Sequence, residues 1–568
     1  MQKKSVHVHT DQRLGARLAW VGLAFYFLAG QAMIPHLGVQ NDEALFVTPL
    51  YDWRQALYTL RIGHAHFPLM LMSYLGTLKI WIYRPIFRIF GASVWTLREP
   101  MLLAGAAGIW LFFLLLRRIV SERAAVIGCG LLAADSVYLL TCCFDWGPVA
   151  MQHVLLLGAS LLAAKFWRER TYAALAGAAF LAGLAMWDKA LAVWILSSAG
   201  VAALILFARQ IWSLFTWRRA IVAAAAFGLG ALPLLIYNAA NHWDTFHGNF
   251  KPETKSELRQ KVTVLKLSLF GDGLFGYMTS EDRETPKPHP PGDWLESAST
   301  ALAGFSGRPR HDLLPYALAL ALLLTPLARG MARKWILFAA ITMALAWIQM
   351  AFTAGAGGSI HHVVLLWPLP QMIVAISFAA ASERLGRAGI PTFAVISAAM
   401  ILAGCLVINN YYAVMVRNGG EQAWTDAIFP LADYLKRAPT NSVNCVDWGI
   451  LDSLSLLGSG KLPLRVASDP NDRASLEQLI SNPRGIFVAH TKQFEFFTGV
   501  NEKVIRFGED SGYRRELLTV ISDGYGRPTF EVYRFVVEIS ATASFGRGSD
   551  RSIFTLAYAR GSDRAWVH

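Results

Sequence analysis

Apolar stretches of roughly 17 to 22 residues recur along the first three quarters of this chain, and they limit its fold more than any other feature. At about 1.5 Å of rise per residue, each is long enough for a helix to cross the hydrocarbon of a bilayer. Eleven such segments are read, at 18–37, 99–116, 124–140, 149–164, 172–187, 190–208, 220–237, 312–327, 335–352, 363–381 and 392–408. Of the 568 residues, 54% are hydrophobic and only 16% charged, whereas soluble domains carry about a quarter charged residues. The expected fold class is therefore a polytopic α-helical membrane protein.

Basic residues flanking the segments set the orientation, because Lys and Arg are retained on the cytoplasmic side. With the N-terminus inside, the clusters around Arg13 and Arg17, Arg117 and Arg118, Lys165 and Arg168, Arg218 and Arg219, Arg333 and Lys334, and Arg384 and Arg387 all fall in the cytoplasm. The opposite loops at 141–148 and 354–362 contain no Lys or Arg. An odd number of spans then places the C-terminal region outside. Residues 1–17 are polar and basic and lead into a long apolar segment without a small-residue cleavage site, the pattern of an uncleaved anchor. The net charge of +13 is absorbed by this topology, so no nucleic-acid partner is expected. The five cysteines show neither disulfide nor zinc spacing.

Three extramembrane regions follow. The first outer loop, 39–98, is semi-apolar with interspersed Lys79, Arg84 and Arg88, which suits helices lying in the interface with basic groups on lipid phosphates. The second, 238–311, is polar and Pro-rich near 285–291, the composition of a lid or a linker. The third, 409–539, alternates short apolar runs at 443–447, 464–466, 485–489 and 530–537 with helical stretches at 451–457 and 474–480. It is expected to form a small α/β domain outside the membrane. The remainder, 540–568, is polar and internally repetitive and is expected to be disordered.

Chemistry concentrates beyond the first span, in Asn41-Asp42-Glu43-Ala44-Leu45-Phe46. A carboxylate pair beside the bilayer on its outer face suits catalysis, but Asn41 or Asp42 equally suits the N-cap of a helix over 44–60. In the next outer loop Phe144-Asp145-Trp146-Gly147-Pro148 sets Asp145 at matching depth. It is either a second functional carboxylate or the N-cap of the fourth span.

With His66-Phe67-Pro68-Leu69 and Leu97-Arg98-Glu99-Pro100, these residues resemble the integral-membrane glycosyltransferases of the C superfamily. The resemblance is to the branch of protein O-mannosyltransferases and lipid A aminoarabinose transferases, and in topology it spans roughly residues 15 to 410. It implies transfer of a sugar from a polyprenyl-phosphate carrier to an acceptor hydroxyl of a lipid, glycan or protein. It also implies that Asp42 is the catalytic base, with Glu43 and Asp145 as its acidic companions. The chain departs from the mannosyltransferases in lacking a sugar-binding repeat domain in its large outer loop. It departs from the aminoarabinose transferases where His64-Ala65-His66-Phe67-Pro68 replaces a basic-Pro-Pro stretch. Donor sugar and acceptor stay open.

For the leaving phosphate the candidates are Arg61, His64, His66, Lys79, Lys189 and the pair His361-His362, which follows a Gly-rich turn able to offer backbone N–H groups. Oxygen and imidazole donors make a divalent metal conceivable, yet the spacing is not diagnostic and no metal is assigned. The setting expected is a bacterial inner membrane with the C-terminal domain in the periplasm. Two other classes compete. A flippase of lipid-linked saccharides would use Asp135 and Asp188 deep in the bundle, and an assembly subunit would use the C-terminal domain to bind a partner.

Overall fold

The computed structural model describes residues 2–249, 251–252, 255–467 and 472–538. The tail expected to be disordered, 540–568, lies outside them. Among the described residues seven helices are long and apolar enough to cross a membrane, or nine if each of two bent pairs is one span. With the shorter apolar helices Tyr172–Asp188 and Leu314–Leu327 they fall on all eleven expected segments. The chain is an integral multi-pass membrane protein. Its first helix, Gln2–Met33, already includes most of the polar N-terminal stretch.

Two segments read as straight spans are broken. Glu122–Ala133 and Ser136–Cys143 meet at 62°, and Trp217–Gly230 and Leu232–Ala240 at 73°. Asp135 restarts the first pair by accepting from Tyr138 N at 2.8 Å, and its other oxygen accepts from Trp367 Nε1 at 2.7 Å and Gln371 Nε2 at 2.8 Å. A buried carboxylate thus acts as a helix cap with its acceptors filled. Elsewhere the bundle relies on small residues: a Cβ on Gly183 would collide with Phe227 O, and one on Gly230 with Phe180 O. Helices Tyr172–Asp188 and Trp217–Gly230 approach backbone to backbone only because neither position has a side chain.

The first outer loop differs from the expected interfacial helices. It opens with the five-residue helix Asn41–Leu45, far shorter than a helix over 44–60, and Pro49 then diverts the chain into a 3₁₀ turn, Thr48–Leu50. Strands β1 (Tyr58–Ile62), β2 (Ala65–Met72) and β3 (Leu75–Gly76) follow as an antiparallel sheet. The apolar run at 67–72 is therefore strand, because Gly63, at φ +59°, closes a two-residue turn that pairs Ile62 with Ala65. Pro68 is tolerated where the β1–β2 register slips, so its missing N–H costs no regular ladder bond. One helix of the expected kind is present, Leu78–Phe90, which buries Lys79, Ile80 and Tyr83 and exposes Arg84, Arg88, Ile89 and Phe90.

The C-terminal region carries a five-stranded mixed sheet of β4 (Ser442–Cys445), β5 (Leu464–Val466), β6 (Gly485–His490), β7 (Tyr513–Ser522) and β8 (Pro528–Val537), in the order β5-β4-β6-β8-β7. Strand β7 is absent from the sequence reading. It is a half-exposed edge strand whose side chains alternate poorly between core and solvent. Helices Ile428–Arg437 and Leu451–Leu457 pack with one apolar cluster of the sheet, while Arg473–Ile480 and Val500–Asp510 pack with another.

Candidate active site

The short helix Asn41–Leu45 turns its two acids to different partners. Its N-cap is Gln40, in extended backbone, whose side chain accepts from Glu43 N at 3.0 Å, so neither Asn41 nor Asp42 caps it. Successive helical residues point about 100° apart. Glu43 meets Arg98 in a two-pronged ion pair, Nε to Oε1 at 2.7 Å and Nη2 to Oε2 at 2.8 Å. Arg98 gives its remaining N–H groups to Ile34 O, Leu37 O and Gly38 O, and its guanidinium lies 4.6 Å from the Phe144 ring centroid. All five donors of a fully buried guanidinium are thereby used. Burial pushes the Glu43 carboxyl up against the opposing pull of Arg98. This arrangement ties the loop to the second span and keeps Glu43 occupied.

No ion pair holds Asp42 among the described residues. Burial raises its carboxyl to about 6, with Gln40 and Asn41 pulling it down. A carboxylate of that basicity is ionised at neutral pH yet takes a proton more readily than an exposed aspartate. Its charge is felt by Tyr74, Tyr277 and Asp452, none of them a candidate from sequence.

Asp145 divides its two oxygens between a helix N-terminus and a lysine. Its Oδ1 accepts from Val149 N at 2.5 Å and Ala150 N at 3.3 Å, capping helix Val149–Glu169, while Oδ2 accepts from Lys79 Nζ at 2.9 Å. Lys79 also donates to Asp145 O and lies 4.1 Å from the Phe46 ring centroid, so it joins the first two outer loops. Lys189 Nζ donates to Gly147 O at 3.0 Å, and burial lowers its ammonium to about 8 against the pull of Asp145 and Asp188. Trp146 Nε1 donates to His361 Nδ1 at 3.0 Å. A small cavity is lined here by Gly147, Gln152, Lys189, His361 and His362. Into this buried region His362 Nδ1 and Gln152 Oε1 bring polar atoms without a partner.

An aromatic row joins the two acidic centres: Trp146 packs on Tyr277 at 5.8 Å and on Trp424 at 5.3 Å, and Tyr277 lies within the field of Asp42. The structure therefore gathers Asp42, Asp145, Lys79, Lys189, His361 and His362 around one site. It leaves three candidates elsewhere. Arg61 and His64 are exposed at the β1–β2 hairpin, where Arg61 Nε donates to Gly63 O. His66 stacks on Trp53 at 3.9 Å and lines an open groove of about 480 Å³ with Trp81, Arg84 and Arg88. Among the described residues no group of three His, Cys, Asp or Glu converges as metal ligands. Asp188, also buried, accepts from Gln152 Nε2 at 3.1 Å.

Residues 75–237 match the family model of dolichyl-phosphate-mannose-protein mannosyltransferases. The fold is shared with two crystal structures of ArnT from Cupriavidus metallidurans. The one bound to undecaprenyl phosphate is 13% identical with a TM-score of 0.53, and the alignment covers 94% of this chain and 99% of that one. The apo form is 14% identical with a TM-score of 0.54, over 91% and 97%. No curated protein matches the sequence. The shared fold thus extends over 94% of this chain, and the match to the mannosyltransferase family model takes in the segment that carries Lys79, Asp145 and Lys189.

Proposed function

We infer that this chain is a membrane glycosyltransferase that moves a sugar from a polyprenyl-phosphate carrier to an acceptor hydroxyl at the outer face of a bacterial inner membrane, with inversion at the sugar carbon. The observation that carries this reading is the charge separation within one buried site, with Asp42 at one end of the aromatic row and Lys79 and Lys189 at the other. The named family and the undecaprenyl phosphate held by ArnT support a polyprenyl-phosphate donor. The distribution of Lys and Arg supports an outer, periplasmic C-terminal domain.

In this mechanism the acceptor oxygen attacks the sugar's anomeric carbon while Asp42 takes the hydroxyl proton. The bond from that carbon to the phosphate oxygen breaks, and its electron pair leaves with the polyprenyl phosphate. Lys189, reinforced by Lys79 and by donors at His361 and His362, opposes the charge that gathers on the leaving phosphate. Glu43 acts through Arg98, holding the loop on which Asp42 sits. Asp145 aims Lys79 and caps the fourth span.

The test is release of free undecaprenyl phosphate from an undecaprenyl-phosphate-linked hexose by the full-length protein in nanodiscs. Passage of that lipid across a vesicle bilayer with its sugar still attached would favour a flippase instead. Within this assay Lys189→Gln is expected to lower kcat by roughly 100-fold, the cost of one charge-stabilising donor. An unchanged kcat would remove Lys189 from the leaving-group side. Because the base must be ionised and Lys189 must keep its proton, kcat/KM is expected to rise with pH along a limb centred near 6 and to fall again along one near 8. A limb at the ordinary aspartate value, near 4, would show that the reacting group is exposed rather than buried.

A further inference from the structure

Two side chains converge on one nitrogen of His361. Trp146 Nε1 lies 3.0 Å from its Nδ1, and Ser359 Oγ lies 2.7 Å from the same atom. Ser359 is the N-cap of the short helix Ile360–Val363, yet its hydroxyl makes no bond to the helix N–H groups and turns to the imidazole instead. The rest of the ring is seated as closely. A Cβ on Gly147 would lie 2.6 Å from His361 Cδ2, so the imidazole packs on the bare backbone of that glycine, whose carbonyl accepts from Lys189 Nζ at 3.0 Å. Gly147 thus sets an ammonium and an imidazole side by side, and both line the same small cavity with His362. Among the described residues His361 Nε2 has no hydrogen-bond partner.

These contacts fix where the imidazole carries its hydrogen. An indole N–H donates and cannot accept, so Nδ1 must offer it a lone pair. A neutral imidazole with Nδ1 as acceptor has its hydrogen on Nε2, whereas an imidazolium would set an Nδ1–H against the indole N–H. The Ser359 hydroxyl rotates to suit and turns its own hydrogen to the same lone pair. We propose that Trp146 locks His361 as the neutral Nε2–H tautomer, so that the ring donates from Nε2 to an oxygen of the leaving phosphate beside Lys189. This rests on the phosphate being displaced at the Lys189 end of the site. As the bond from the anomeric carbon to the phosphate oxygen breaks, negative charge grows on that phosphate, and an N–H already fixed there meets it without reorganisation. The ring keeps its hydrogen throughout, because a neutral imidazole is far too weak an acid to give it up. Trp146 is a positioning residue, since it acts through His361 rather than on substrate.

Nitrogen NMR of isotope-labelled histidine in the full-length protein in nanodiscs reads the tautomer directly, and the signals missing from His361→Gln identify the residue. At neutral pH Nδ1 is expected to be bare and Nε2 protonated, both in the wild type and in Ser359→Ala, which keeps the indole. In Trp146→Phe only a hydroxyl remains on Nδ1, able to accept as well as donate, and a population with the hydrogen on Nδ1 is expected. Packing alone would leave the tautomer unmoved in that variant. A hydrogen on Nδ1 in the wild type or in Ser359→Ala overturns the lock, as does an unchanged pattern in Trp146→Phe, and the wild-type measurement needs no variant to fold. In the transfer assay His361→Asn keeps an oxygen for the Trp146 N–H but has no donor at the Nε2 position, so kcat is expected to fall roughly 100-fold with KM little changed. His361→Gln, whose amide N–H reaches that position, should stay within about 10-fold of wild type. Wild-type kcat in His361→Asn, or equal losses in the two variants, overturns the donor role. If Lys189→Gln and Asp42→Asn both retain transfer, the proposed reaction fails instead, and the NMR result still decides where His361 holds its hydrogen.

Discussion

Asp42→Asn is expected to lower sugar transfer by roughly 100- to 10,000-fold while the protein still accumulates in the membrane. Both halves of that result follow from the setting of the residue. Asparagine keeps the size and hydrogen-bonding reach of the side chain but cannot take a proton from an acceptor hydroxyl. The short helix does not depend on Asp42, because Gln40 caps it and Glu43 anchors it to Arg98. The effect belongs in kcat rather than in donor affinity, since a base acts as the new bond forms. Transfer from the undecaprenyl-phosphate-linked hexose, measured beside membrane abundance, is the check. A variant with wild-type kcat would end the role of Asp42 as base, whatever its effect on KM.

Arg98→Ala is expected to produce the opposite pattern, loss of the folded protein rather than of one chemical step. Its guanidinium is fully buried, and removing it strands the Glu43 carboxylate and three carbonyls with no solvent to replace the lost bonds. Breaking a buried pair in this way costs about 3–5 kcal/mol. Arg98→Lys should recover little, because one ammonium cannot reproduce five donors in a planar fork. Thermal unfolding in detergent should show both variants well below wild type, and Glu43→Gln less affected because an amide can still accept from the guanidinium. An Arg98→Ala protein as stable as wild type would contradict the structural role given to the pair.

The two acids at 42 and 43 illustrate what was legible in the sequence. That a carboxylate pair beyond the first span matters can be read from its placement, but which of the two is free cannot. Glu43 is taken by Arg98, 55 residues away. The Leu97-Arg98-Glu99-Pro100 stretch did contain a signal, an arginine at the mouth of an apolar span that must find partners to be buried there. Asp145 presented two readings, cap and functional acid; the structure shows one oxygen accepting from the helix N-terminus and the other paired with Lys79. Among the phosphate candidates, Arg61, His64 and His66 share the first outer loop with Lys79 in sequence, yet Arg61 and His64 are exposed at the hairpin turn and His66 stacks on Trp53, while Lys79 is buried on Asp145.

By itself the sequence determined the membrane-spanning segments and the existence of a small C-terminal α/β region, and it supplied an expected orientation. These depend on local quantities, namely runs of apolar residues long enough for a bilayer, basic residues at their ends and short strand-like runs. Only the tertiary structure decided where spans break, which acid is bound and which is free, and that Trp146 donates to His361 across 215 positions of chain. The physical reason is that burial and charge pairing are properties of neighbours in space. A carboxyl's proton affinity is set by the water it has lost and the charges it faces, and neither is written in its own stretch of sequence.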